Sequence, residues 1–270
     1  MTACADLIDL LLPALAQAPA VLVTVGQTQG SVPRESGTWM AVFEHAVVGT
    51  IGGGRLEWQA TARARELLST PNAPATTERY ALGPSLGQCC GGALTLQFEP
   101  VSQADAQGLR TRLQPTLQAL TLFGGGHVGQ AIVRLMLTLP YAITWIDSRD
   151  GVFPDDLPDR VRCEHSQPVE RAVQDLPAGS QVLIMSFSHA EDLDIVSQCL
   201  LRQRERVDLP FVGLIGSQTK WAVFRRRLLA RGFTEAELDR ITCPIGVAGI
   251  RGKEPAVIAV AVAAQLLTGH

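Results

Sequence analysis

Residues 119–148 read ALTLFGGGHVGQAIVRLMLTLPYAITWIDS. A short apolar run, residues 120–123, passes into Gly124-Gly125-Gly126-His127-Val128-Gly129, and Ile132, Val133, Leu135, Met136 and Leu139 then recur at roughly helical spacing. A second β-rich run, residues 141–146, stops at Asp147. The pattern is strand, turn, helix, strand, with Gly124, Gly126 and Gly129 in the GxGxxG spacing of a dinucleotide fold. The expected tasks of these glycines are a tight turn, close approach to a pyrophosphate, and close packing of helix on strand. The helix N-terminus adds free N–H groups and the positive end of a dipole. Asp147 stands where an acid takes a ribose 2′-hydroxyl and repels a 2′-phosphate, although Arg149 works against that preference. Fold does not fix function, so glycines that only shape a turn remain the alternative.

The alternation continues downstream. Strands are expected at residues 160–164, 181–187 and 211–215, and helices at 169–176 and 191–206, which implies a parallel sheet with right-handed crossovers. Gly124, Asp147, His189 and Gly216 then fall along one sheet edge, where such folds bind ligands. His189 is either a polar contact to a ligand or a surface or capping residue.

At 270 residues the chain exceeds the usual single domain. We therefore expect an α/β protein in which a smaller N-terminal α+β domain, residues 1–100, precedes a Rossmann-like doubly wound domain, residues 118–270, through a polar linker at 101–117 that is either helical or disordered. A formal charge of −3 gives no electrostatic footprint for nucleic acid. The apolar run at 255–267 is too short to span a bilayer, and the N-terminus lacks the basic layout of a signal peptide. A cytoplasmic protein with reduced thiols is expected.

In the first domain, an apolar helix and a strand at 21–25 lead into a turn-rich segment containing Arg34. A hairpin around Glu44-His45 follows and ends in Gly52-Gly53-Gly54, where a helix opens. This is a second candidate anion cradle, with a packing turn as the alternative. Residues 87–92 read Gly-Gln-Cys-Cys-Gly-Gly between two strands. Cysteines are usually small hydrophobes of the core, but Cys89 and Cys90 on a glycine loop are placed for exposure and for thiolate chemistry. A structural zinc site is not expected, since no second Cys or His pair stands at zinc spacing.

Gly30-Ser-Val-Pro-Arg34, Gly52-Gly-Gly54, Gly87-Gln-Cys-Cys-Gly-Gly92, Phe123-Gly-Gly-Gly-His127, Gly213-Leu-Ile-Gly-Ser217 and Cys243-Pro-Ile-Gly246 together resemble the XdhC/CoxI family of molybdenum-cofactor accessory proteins. The resemblance implies a chaperone that binds molybdenum cofactor (molybdopterin) and works with a cysteine desulfurase while an oxo ligand on the metal is replaced by sulfur. It then delivers the cofactor to the molybdenum-binding subunit of apo xanthine dehydrogenase. Cys90 matches the family's cysteine before Gly-Gly and is the implied metal contact, with Cys89 beside it. Where many members carry His-x-His after the fourth strand, this chain has Phe187-Ser-His189.

Soft sulfur suits molybdenum, so a loop thiolate fits that role. Arg34 and Gln88 are candidates for the pterin, and either glycine cradle for a phosphate. No catalytic residue is expected, and a homo-oligomer is the expected assembly. The alternative is a nucleotide in the Rossmann domain, which makes an NAD-dependent oxidoreductase the second hypothesis, although no Tyr-x-x-x-Lys is present.

Overall fold

Strand β1 (Ala20–Gln29) opens with an unbroken buried run because both of its faces are covered. In the computed structural model, which describes residues 4–82 and 91–268, Val21, Val23 and Val25 pack on one side while Ala20 and Leu22 pack on the other. Alternate strand residues point to opposite faces, so two helical layers follow from this sequence. Helix α1 (Cys4–Leu15) covers one face with Ile8, Leu11 and Leu15. Helix α2 (Gly54–Leu68) covers the other with Leu56, Ala60, Ala64 and Leu67.

Four more strands complete an antiparallel sheet: β2 (Trp39–Val42), β3 (Val47–Gly49), β4 (Thr76–Ala81) and β5 (Ala93–Val101). Their order is β3-β2-β1-β5-β4. The expected linker at 101–117 is largely folded structure. Val101 finishes β5, Ser102 caps a short 3-10 turn, and helix α3 (Ala106–Leu113) buries Leu109 in the same core as α1. Its polar composition reflects a helix with one buried side. The chain divides into two compact units between Pro115 and Thr116.

The second unit is a parallel sheet of six strands: β6 (Gln118–Phe123), β7 (Tyr141–Asp147), β8 (Val161–His165), β9 (Gln181–Ile184), β10 (Phe211–Leu214) and β11 (Ile241–Thr242). The order β11-β10-β9-β6-β7-β8 places the reversal of winding between β6 and β9, the doubly wound arrangement whose crevice binds ligands. Helices α4 (His127–Met136) and α8 (Pro255–Leu267) cover one face with Leu120, Leu122, Ile143 and Trp145 beneath them. Helices α5 (His189–Glu205), α6 (Gln218–Ala230) and α7 (Glu235–Leu238) lie over Phe123, Ile146, Val182 and Val212. The sequence reading did not anticipate α7 or the two-residue β11, both too short to leave a periodic signal. Among the described residues no helix is long and apolar enough to cross a membrane.

Arg202 is the buried charge that ties α5 to its surroundings, at 1% exposure. Its guanidinium donates to both oxygens of Asp208 at 2.9 and 2.7 Å, to Val173 O at 2.7 Å and to Leu176 O at 2.8 Å. The Arg202 hydrogen bonds hold the Asp208 carboxyl below the usual carboxylate range. A depressed folded value means this stabilisation is present above the unfolded carboxylate pKa and is lost as pH falls through the folded one. Arg202→Met should cost about 3 kcal/mol, because it strands a carboxylate and two buried carbonyls. Urea unfolding at neutral pH measures this as a lower midpoint, and the deficit should shrink as Asp208 is protonated.

Candidate ligand site at the glycine turns

The β6–α4 turn assigns different tasks to its three fingerprint glycines. Gly124 sits at φ +123°, and a Cβ there would lie 2.0 Å from the Met185 carbonyl oxygen. A Cβ on Gly129 would lie 2.1 Å from Gly124 O, so helix and turn touch at that point. Gly126 is different: as the N-cap of α4 it has φ −71°, and a Cβ there would meet nothing within 4 Å. The fold itself requires glycine at 124 and 129. At 126 it leaves open space above a helix N-terminus, which is the room a phosphate-bearing ligand needs.

Hydrogen bonds fix the turn. Gly124 N donates to Ile146 O at 2.8 Å, and the buried Trp145 indole donates to Gly124 O at 2.9 Å. Asp147 Oδ2 accepts from Gly125 N at 2.6 Å and from Arg149 Nη2 at 2.9 Å. Its Oδ1 accepts from the backbone N and from Nε of Arg149, both at 2.9 Å. Four hydrogen bonds fill a carboxylate's acceptor capacity. The expected ribose contact by Asp147 therefore finds no free lone pair in this conformation. Burial pushes the Asp147 carboxyl up, but the bonds from Arg149 and Gly125 outweigh it and hold it below its ordinary value. The Arg149 guanidinium lies over the exposed Phe187 ring, 4.6 Å from its centroid.

The glycines before α2 are engaged from within. Glu57, in the first turn of α2, accepts from Ile51 N and Gly53 N at 3.0 Å each and from Thr50 Oγ1 at 2.5 Å. Gly52 N donates to Thr50 Oγ1 at 3.1 Å, so the N–H groups of Gly52 and Gly53 are bonded within the chain, as a packing turn would have them. The signal was an acid in the first helical turn, whose reach back to the loop only the fold reveals.

Three motifs of the first unit nevertheless converge. A Cβ on Gly52 would lie 2.8 Å from Pro33 Cβ and 3.4 Å from Arg34 Cγ, and one on Gly92 would lie 2.3 Å from Ser31 O. The segment 30–34 therefore bridges the α2 turn and the base of the β4–β5 connection. That base is closed by Leu82 N donating to Gly92 O at 2.7 Å. Gln88, Cys89 and Cys90 belong to this connection and lie outside the described residues. Beside it, Gln27, Gln29, Arg79 and Thr95 line a polar hollow of about 360 Å³. These four carry no motif and escaped the sequence reading.

His189 is the first residue of α5, exposed, with its ring edge-on to Phe224 at 6.5 Å. The helix cap is Ser188, which accepts from Glu191 N. At the same sheet edge, Lys220 Nζ donates to Asp192 Oδ2 at 2.6 Å and to Ile215 O at 2.8 Å, while Asp192 Oδ1 accepts from Ser186 N and Oγ. This buried pair locks the loops after β9 and β10. Burial pushes the neighbouring Cys243 thiol up to about 11, so it is a neutral thiol near pH 7. Among the described residues no cluster of three His, Cys, Asp or Glu could hold a metal.

Residues 120–266 match the family model described as the XdhC Rossmann domain, and residues 14–81 match the model described as the XdhC and CoxI family. The chain belongs to the XdhC/CoxI family. Among individual relatives it is 26% identical over 252 residues to a protein of Escherichia coli K12 described as uncharacterized protein YqeB. That match takes in 92% of this chain and 43% of the relative's length. A solved Bacillus halodurans structure, described as a xanthine dehydrogenase, is similar with a TM-score of 0.79 at 20% identity. It covers 99% of this chain and 95% of its own, and at that identity it shows a shared fold. In XdhC/CoxI terms, β6 to α8 form the family's Rossmann domain.

Two outcomes follow for the turn. Gly129→Ala should destabilise by about 1–3 kcal/mol through overpacking, whereas Gly126→Ala should melt as the parent does, within about 0.5 kcal/mol; thermal unfolding of both variants checks this. Because the Asp147 value is depressed, its contribution is present above the unfolded carboxylate pKa and is lost as pH falls through the folded one. Asp147→Asn should be less stable at pH 7 and lose part of the acid dependence, read from denaturation midpoints between pH 3 and 7.

Proposed function

We propose that the chain is a loading chaperone for the molybdenum cofactor, which holds the cofactor during sulfuration by a cysteine desulfurase and delivers it to apo xanthine dehydrogenase. The observation that carries this reading is that both halves of one chain match models of the same accessory family. When bound, the cofactor supplies the molybdenum centre that the recipient enzyme lacks. Cys90 is assigned the metal contact, with Cys89 and Gln88 on the same connection, because soft sulfur donors suit molybdenum.

The turn at Gly52 to Gly54 suits the cofactor's phosphate less well, since Glu57 takes Gly53 N and Thr50 Oγ1 takes Gly52 N. The α4 N-terminus fits, because Gly126 leaves open space there that the fold does not need. A nucleotide is a second ligand that the same N-terminus suits. Arg34 and the polar hollow at Gln27, Gln29 and Arg79 supply donors for a heterocycle. Hydride transfer to or from a nicotinamide nucleotide has less support, as the Asp147 acceptor sites are filled.

A loading chaperone acts on another protein. Apo xanthine dehydrogenase mixed with this chain preloaded with sulfurated cofactor should gain more activity than with free cofactor at equal concentration, and the loaded chain alone should not oxidise xanthine. Cys90→Ser should lower bound molybdenum severalfold, whereas Cys163→Ser, an exposed cysteine on β8, should not. Equal metal content in the two variants would remove Cys90 from the reading.

A further inference from the structure

Strand β5 turns Leu94 and Leu96 into the core beneath α2, so Ala93 and Thr95 stand on the opposite face of the sheet. Arg79 of β4 is the partner of Thr95 in the antiparallel ladder. On the other side β1 is bulged. Val25 pairs with Leu96 and Thr28 with Leu94, so Gly26 and Gln27 together oppose Thr95 alone. Gln27 N donates to Thr95 Oγ1 at 2.8 Å, and a Cβ on Gly26 would lie 2.5 Å from that hydroxyl oxygen. The contact therefore needs glycine at 26. A bulge and a glycine inside a strand both weaken a sheet, and both mark places where side chains are re-aimed or a ligand comes close.

Over this bulge lies the hollow of about 360 Å³ lined by Gln27, Gln29, Ala93, Thr95 and Arg79, inside the range of roughly 300–1,000 Å³ that small ligands occupy. Among the described residues Arg79 has no ion pair. Its one hydrogen bond is long, from Nη2 to Gln29 Oε1 at 3.5 Å, and the Gln27 side-chain amide has none. The acids of the flanking strands are engaged elsewhere, Glu78 with Arg63 and Glu99 with Arg112. The lining decides the ligand class. A site for a bare oxyanion gathers cations and N–H donors, whereas each amide here also brings an acceptor oxygen. A guanidinium fork beside glutamine amides is the set that reads the edges of a fused-ring lactam: the fork takes a carbonyl oxygen and the adjacent ring nitrogen, and an amide pairs with a donor–acceptor edge. Ala93 supplies a small apolar floor for a flat ring. Thr95, which accepts from Gln27 N, still has its hydroxyl proton to donate.

We infer that the hollow is a binding site for a fused-ring lactam, with Arg79 on the carbonyl oxygen and neighbouring ring nitrogen and Gln27 and Gln29 on the amide edge. Pterins and 6-oxopurines share this chemistry. The choice of a pterin as the natural occupant rests on the proposed function, in which the molybdenum cofactor supplies one; the lactam class rests on the lining alone.

The test titrates the full chain with pterin, followed by its fluorescence, and with guanosine, adenosine and benzoate as competitors. Arg79→Met and Gln27→Leu are the variants, both at exposed positions, with folding checked by circular dichroism. Pterin should bind and guanosine should compete, whereas adenosine, which lacks the carbonyl, and benzoate, which lacks the lactam, should not. Arg79→Met should weaken pterin binding about 10-fold or more and Gln27→Leu about 5-fold, as loss of a charge-assisted and of a neutral hydrogen bond does. No pterin binding by the parent, competition by benzoate as strong as by guanosine, or parent-like binding by both variants would overturn the site. Guanosine binding tighter than pterin would uphold the lactam site and overturn the pterin as its occupant. Cofactor uptake, read as bound molybdenum, separates this assignment from the chaperone reading. Uptake by both variants equal to the parent's overturns the hollow alone, and pterin binding by a chain that takes up no cofactor overturns the chaperone reading alone.

Discussion

The Asp147 carboxylate holds the second unit's ligand edge in shape. It closes β7, receives Gly125 N from the turn after β6, and binds both backbone and side chain of Arg149. With Gly124 N on Ile146 O and the Trp145 indole on Gly124 O, two neighbouring strand ends and the start of α4 become one hydrogen-bonded unit. A buried carboxylate is tolerable only when so compensated. The compensation takes the bonding capacity that the same acid gives to a ribose in other proteins of this shape. A residue type at a motif position therefore does not by itself state what the residue contacts.

Much of the architecture was legible in the chain. The glycine spacing, the strands at 120–123 and 141–146, and the alternation that follows led to a parallel sheet, as periodicity and turn residues are local properties. The two-sided burial of β1 was written in its continuous apolar run. Elements too short for a local signal were missed: β11 has two residues and α7 four.

The site was less legible, for a reason of geometry. Sequence placed two glycine-opened helices on equal terms, yet a side chain four residues past Gly53 fills one turn while the other stays open. Glu57 and Gly126 look unremarkable in the sequence, and the difference lies in where a carboxylate reaches. Likewise Lys220 and Asp192, twenty-eight residues apart, become a pair only when β9 and β10 lie side by side. Contacts between the 30–34 segment, Gly52 and Gly92 are of the same kind.

The four tryptophans are unevenly distributed between core and solvent. Trp39, Trp145 and Trp221 are buried, and Trp58 projects from α2. Because the Trp145 indole N–H is bonded to the carbonyl of Gly124, its ultraviolet emission depends on the state of the fingerprint turn. A water-borne quencher reaches the indole of Trp58 first. Quenching of the accessible indole therefore reports cover over α2, while the unquenched emission of the buried tryptophans, Trp145 among them, reports on the interior that includes the glycine turn.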